Sequence, residues 1–283
     1  MLEPASWPKQ TSWELPRLTN KLCLKCLRSL TITGTVNIML QRRSLRMYCF
    51  SPPVMAITAI VELSLMVWAL YKYRHTKVGR LTAALLFFLA AFQVAEYNIC
   101  GRFGLNAEWW SRFGFMVIAV LPPLGIHLSL TIAKADWTWL KRLAYASAAV
   151  WIGLFGFTNN MFADHGCGGN YILFHVKPHY GILYGVHYYF WLFVGIALSL
   201  WLLRGQNKVK RESLLMMVIG YLVFIVPTAL VNTIKPETLA GVPSILCGFA
   251  IFFAVILAFG ILPNEHKPAK KVKAKKITRK RTR

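Results

Sequence analysis

VPSILCGFAIFFAVILAFGIL, residues 242–262, runs for 21 residues without a charged side chain. The hydrocarbon core of a bilayer is about 30 Å thick, and an α-helix rising about 1.5 Å per residue crosses it in roughly 20 residues. The stretch is therefore read as a membrane-spanning helix. Working back along the chain, SLLMMVIGYLVFIVPTALVNT (213–233) and ILYGVHYYFWLFVGIALSLWLL (182–203) are of the same kind. Four more apolar spans precede them, at 53–73, 80–100, 111–133 and 140–158. The connections are short, so the spans predict one all-α, polytopic membrane domain, an up-and-down bundle of seven transmembrane helices over residues 47–263. No remaining segment has the size of an ordinary soluble domain, so no soluble catalytic module is expected.

The formal charge is +23. In a multi-span protein, Lys and Arg report topology before they report ligands. Lys72, Arg74, Lys77 and Arg80 crowd the first connection. Lys134, Lys141 and Arg142 flank the third, and Arg204, Lys208, Lys210 and Arg211 the fifth. Opposite connections hold Arg102, Arg112, Lys177 and Lys235. The denser set is expected on the cytoplasmic side, which places the start of the bundle outside and its C-terminus inside the cell membrane. Residues 264–283 form a basic tail. From Lys267 to Arg283 it holds ten Lys or Arg and no acid. Such a tail reads as a disordered topogenic segment lying on anionic lipid headgroups, at up to ~1 kcal/mol per basic residue. Nucleic acid is the weaker partner reading.

Residues 1–46 carry eight Lys or Arg against Glu3 and Glu14, a load disfavoured on the outer side. They hold no good apolar span, and Pro4, Pro8 and Pro16 break their start. The expectation is a disordered leader, with Met47 as the natural first residue. Cys23 and Cys26 form one CxxC pair without a second, which gives little ground for zinc.

Ionisable groups inside a membrane are expensive and point to function by default. Four stand out: Glu62 near the middle of the first span, Glu96 in the outer part of the second, His127 in the third and His187 in the fifth. Gln93, Glu96 and Cys100 share a helix face by three- and four-residue spacing, as do Tyr184, His187, Tyr188 and Trp191. Glu96 and His187 sit at similar depth. The expected ligand pocket therefore joins Gln93, Glu96, Tyr184, His187, Tyr188 and Trp191 at the outer mouth. The alternative is a structural Glu96–His187 pair inside an aromatic belt. Glu62 and His127 read as buried polar groups, Glu62 with a hydrogen bond to a neighbouring helix, and Pro122-Pro123 as a kink or hinge in the third span. Cys100 and Cys167 both fall on the outer side beside glycines, and are expected to form a disulfide that staples the fourth-to-fifth loop for ~2–4 kcal/mol.

Other seven-helix functions are tested by residues. A retinal pigment needs a lysine in the last span, and 242–262 has none. A zinc hydrolase needs several ligands at one depth, but the spans hold no Asp and their histidines are split between levels. The same split argues against haem. No nucleophile–base arrangement or phosphate loop is found, and no cofactor or metal is expected.

From Phe50 to about Pro263, the chain resembles the seven-helix N-terminal sensor region of some bacterial histidine kinases and diguanylate cyclases. The likeness lies in FSPPVMAITAIVELSLMVWALYKYR, RLTAALLFFLAAFQVAEY, LPPLGIHLSLTIA, ESLLMMVIGYLVFIVPTALVNT and the 242–262 span. The resemblance implies signal reception, with output through the last helix. Where the family plan places an output module, this sequence continues as the basic tail. The expectation is a sensor or receptor without enzymatic activity of its own, binding a small molecule or lipid and signalling to a cytosolic partner. The competing classes are a membrane enzyme or small-solute carrier, and a structural membrane protein.

Overall fold

The computed structural model describes residues 52–101, 106–158, 161–167 and 172–266. The expectations for the leader, the Cys23/Cys26 pair and the basic tail fall outside them. So do the side chains of Cys100 and Cys167, and with them the disulfide.

Helix α1 (Pro52–Tyr73) turns tightly into α2 (Lys77–Gly101). The Thr76 hydroxyl caps α2 by accepting the Gly79 N–H at 2.9 Å. A Cβ on Gly79 would collide with the Tyr73 carbonyl, so the turn requires glycine there. Next come α3 (Ala107–Ala119) and α4 (Leu121–Ala133), which together make one crossing. Asn106 caps α3, and Glu108 pairs with Arg112 at 2.8 Å one turn on. The break falls at Val120, beside the proline pair expected to kink this span, and the helix begins at Ala107 rather than at 111. Pro122 and Pro123 sit in the first turn of α4, where a backbone N–H would have no partner within that helix, and both are buried.

Helix α5 (Thr138–Phe157) leads into an antiparallel hairpin, β1 (Phe162–Cys167) with β2 (Ile172–Val176). Sequence had this segment as a loop. Then follow α6 (Pro178–Leu202) and α7 (Lys208–Ile234), with Asn207 capping α7. A 3-10 turn, Pro236–Gly241, introduces α8 (Val242–Val255). The last helix widens into a π segment at Ile256–Ile261 and tightens again at Leu262–His266.

Six helices are long and apolar enough to cross a membrane: Val54–Tyr73, Lys77–Ile99, Ala107–Ala133, Pro178–Leu202, Lys208–Ile234 and Thr238–Asn264. Helix α5 does not meet that measure. Lys141 and Arg142 in its opening turns leave 15 residues free of charge, 143–157. Its polar anchors are two histidines. His127 on α4 meets the Tyr145 hydroxyl at 3.2 Å, and His187 on α6 meets the Ser147 hydroxyl at 3.1 Å.

The hairpin is held to the bundle by rings. Phe115 of α3 contacts Phe155, Phe162, Phe174 and Tyr184, with centroids 5.0 to 5.4 Å apart. Five elements thus meet on one side chain. Aromatic pairs at such spacing contribute about 0.5–1.5 kcal/mol each beyond area burial.

Candidate functional site

Gln93 and Glu96 stand three residues apart on α2, and Ser244 and Cys247 three apart on α8. The helices run antiparallel, so the pairs match. The Gln93 side-chain amide donates to the Cys247 carbonyl at 3.3 Å. The Glu96 carboxyl is hydrogen-bonded to Ser244. Ser244 also accepts the backbone N–H of Ile172 from β2 at 3.3 Å. One buried hydroxyl thereby ties α2, α8 and the hairpin together.

Glu62 completes the cluster from α1. It is fully buried, and neither carboxyl oxygen has a hydrogen-bond partner among the described residues. One oxygen of Glu96 is equally unpartnered. The two carboxyls lie within electrostatic range of each other and of the Cys247 thiol. A carboxylate held in a membrane interior carries a penalty of a few kcal/mol, so this corner of α1, α2 and α8 is the least comfortable part of the fold.

Against the cluster lies a cavity of about 360 Å³. Its walls come from β2 (Phe174, Val176), the first turns of α6 (Tyr184, Gly185, Tyr188), the 3-10 turn (Leu239) and α8 (Leu246, Cys247). Among the described residues, its lining includes no Lys, Arg, Asp or Glu. A volume of this size suits a small molecule, and the lining suits an apolar one. Cys247 belongs to both features, lining the cavity while its carbonyl accepts from Gln93.

The residues expected at one pocket divide three ways. Tyr184 and Tyr188 line the cavity. Gln93 and Glu96 sit on α2 and reach it through Cys247 and Ser244. His187 and Trp191 do not line it: His187 bonds Ser147 and rests against Trp151 at 5.8 Å and behind Tyr184 at 6.3 Å, while Trp191 faces a groove between α5 and α6. Among the described residues, no hydrogen bond or ring contact joins Glu96 to His187. Equal depth was readable from sequence, but position around the bundle was not. Ser244 and Cys247 were the missed partners. Their three-residue spacing, matched to that of Gln93 and Glu96 on an antiparallel helix, was the available signal.

The two membrane histidines hold opposite faces of α5 rather than a common ligand. No group of three or more His, Cys, Asp or Glu among the described residues is placed to hold a metal ion.

Residues 54–265 match the family described as the N-terminal 7TM region of histidine kinase. Among curated proteins, none matches the sequence.

Proposed function

Because the chain belongs to the family of N-terminal seven-transmembrane regions of histidine kinases, we propose that this multi-pass membrane protein is the receiving part of a signalling system. Its receiving site is the cavity between β2, α6 and α8. The ligand is a small, uncharged, largely apolar molecule. Tyr184 and Tyr188 bound it on one side, and Cys247 on the other.

The observation that carries this is the double role of one short stretch of α8. Leu246 and Cys247 line the cavity, while Ser244 and the Cys247 carbonyl hold α2 and the hairpin. A molecule that presses on this wall biases α8 against α2. At the far end of that helix, the Asn264 amide donates to the Ser213 hydroxyl and the Gly260 carbonyl, both at 3.1 Å, across the π segment. Such widened turns recur at functional sites. A shift of α8 would reach the basic end there and be read by a cytosolic partner, a histidine kinase being the one that fits the family.

The same proposal takes α5 as the seventh crossing, the C-terminus as cytoplasmic, the cell membrane as the location, and Cys100–Cys167 as a staple beside the hairpin. The protein receives and does not catalyse.

Gly185 supplies the test. A Cβ there meets nothing within 4 Å, so a larger side chain enters the cavity without striking backbone. Native mass spectrometry of protein taken from its own membranes should show a small bound molecule, absent from Gly185→Phe. An identical adduct in both proteins, or none in either, would refute the site.

A further inference from the structure

A second concavity lies at the basic end of the bundle. It is an open groove of about 540 Å³ between α5 and α6. One side is Trp137, Trp139, Leu140 and Leu143, and the other runs along α6 from Phe190 to Trp201. Both ends are closed by side chains. Toward the hairpin, the His187–Ser147 bond spans the two helices. At the basic end, Trp137 meets Trp201 with ring centroids 5.0 Å apart.

The length is informative. Eleven residue steps of α6 from Phe190 to Trp201 correspond to about 16 Å of helix. Half of a roughly 30 Å hydrocarbon core is about 15 Å. The groove therefore has the depth of one leaflet, with tryptophans where that leaflet meets its headgroups.

Charge is placed to match. Arg142 lies three residues after Trp139 on α5, and Arg204 lies in the turn just past the end of α6, three residues after Trp201, so both arginines stand near the Trp137–Trp201 end of the groove. Both arginines are exposed, and neither is in an ion pair among the described residues. An arginine one turn inside the interface extends its head outward along an apolar stem. The planar guanidinium suits phosphate.

We propose that this groove is a binding site for one anionic phospholipid. An acyl chain fills the gap between α5 and α6, and the phosphate is held by Arg142 and Arg204. The lipid supplies α5, whose charge-free stretch is 15 residues long, with packing along the face that borders the groove. This site is separate from the cavity near the hairpin, and either can fail without the other.

The test uses the full chain in nanodiscs of phosphatidylcholine containing phosphatidylglycerol as about one lipid in four, released into detergent for native mass spectrometry. Wild type should retain a single phosphatidylglycerol, with a preference over phosphatidylcholine of roughly fivefold or more. The Arg142→Gln/Arg204→Gln variant should lose the preference while keeping its helical circular dichroism. Ala197→Phe, which fills the groove from α6, should retain neither lipid. Lys208→Gln/Arg211→Gln, at the same end but off the groove, should behave as wild type. Equal retention of both lipids by wild type would mean ordinary annular lipid and overturn the proposal. So would a preference that survives loss of both arginines, or one lost equally in the Lys208/Arg211 variant.

Discussion

The backbone N–H of Ile172 donates to the Ser244 hydroxyl at 3.3 Å, so the hairpin outside the helices is bonded directly to the helix that would carry the output. The same hydroxyl bonds Glu96. Replacing it by Ser244→Ala leaves a buried N–H and a buried carboxyl without their partner, at about 1–3 kcal/mol for such groups. A lower thermal midpoint in nanodiscs and faster amide exchange at Ile172 are expected. Unchanged exchange at Ile172 would show that the hairpin is held by its rings alone.

Glu62 and Glu96 should respond oppositely to an apolar substitute. Glu62 has no hydrogen-bond partner among the described residues, so Glu62→Leu removes a penalty and leaves nothing stranded. Its thermal midpoint should equal or exceed that of wild type. Glu96→Leu strands Ser244, and its midpoint should fall by an amount comparable to Ser244→Ala. If Glu62→Leu proved the more damaging of the two, Glu62 would have a partner in the native protein.

Tyr221 sets a packing rule at the centre of the bundle. Its hydroxyl occupies the space that a Cβ on Gly125 or Gly195 would fill. Small residues at such crossings let helices approach closely. Gly125→Ala should destabilise by about 1–3 kcal/mol through overpacking. Tyr221→Phe removes the clashing oxygen, so Gly125→Ala/Tyr221→Phe should recover much of the loss. Strict additivity in the double-mutant cycle would contradict the contact.

Much of the fold was legible because each crossing is a nearly continuous apolar run, and the bilayer fixes its length. The irregular parts were legible only in part. The proline pair at 122–123 pointed to a kink in the third crossing, but not to its falling at Val120, two residues before the first proline. The hairpin was hidden by the glycines at 166, 168 and 169, although Ile172, Leu173 and Phe174 have the character of a strand. In the site, Tyr184 and Tyr188 were found by helical spacing, and Glu96 and Gln93 by polarity in an apolar run. The pairing of Glu96 with His187 failed to appear because depth is one coordinate of three. Runs such as 242–262 are apolar on every face, so they give no clue to which face meets which neighbour.

The bend before α5 offers a pH test outside the membrane. The Thr138 hydroxyl, followed by Lys141, bonds the Asp136 carboxyl and holds it below the usual range for aspartate. A depressed folded value means that the carboxylate contributes stability above the ordinary aspartate range near pH 4. That contribution is lost as pH falls through the lower, folded value. Carboxyl-carbon NMR should show Asp136 titrating below free aspartate, and Thr138→Val should raise it. No change in Thr138→Val would assign the effect to Lys141 alone.

The crossing by α5 can be settled with reporters placed in the 134–137 connection and after the hairpin at Lys177. Opposite sides are expected. The same side for both would leave six crossings and reverse the assignment of one terminus.

The most direct measurement for the receiving cavity is the alkylation rate of Cys247 by N-ethylmaleimide, resolved by peptide mapping. The expected result is slow reaction in native membranes, faster reaction once apolar small molecules have been stripped from the protein, and slow reaction again in stripped Gly185→Phe. One rate in all three preparations would contradict a cavity that holds a ligand against the α8 wall.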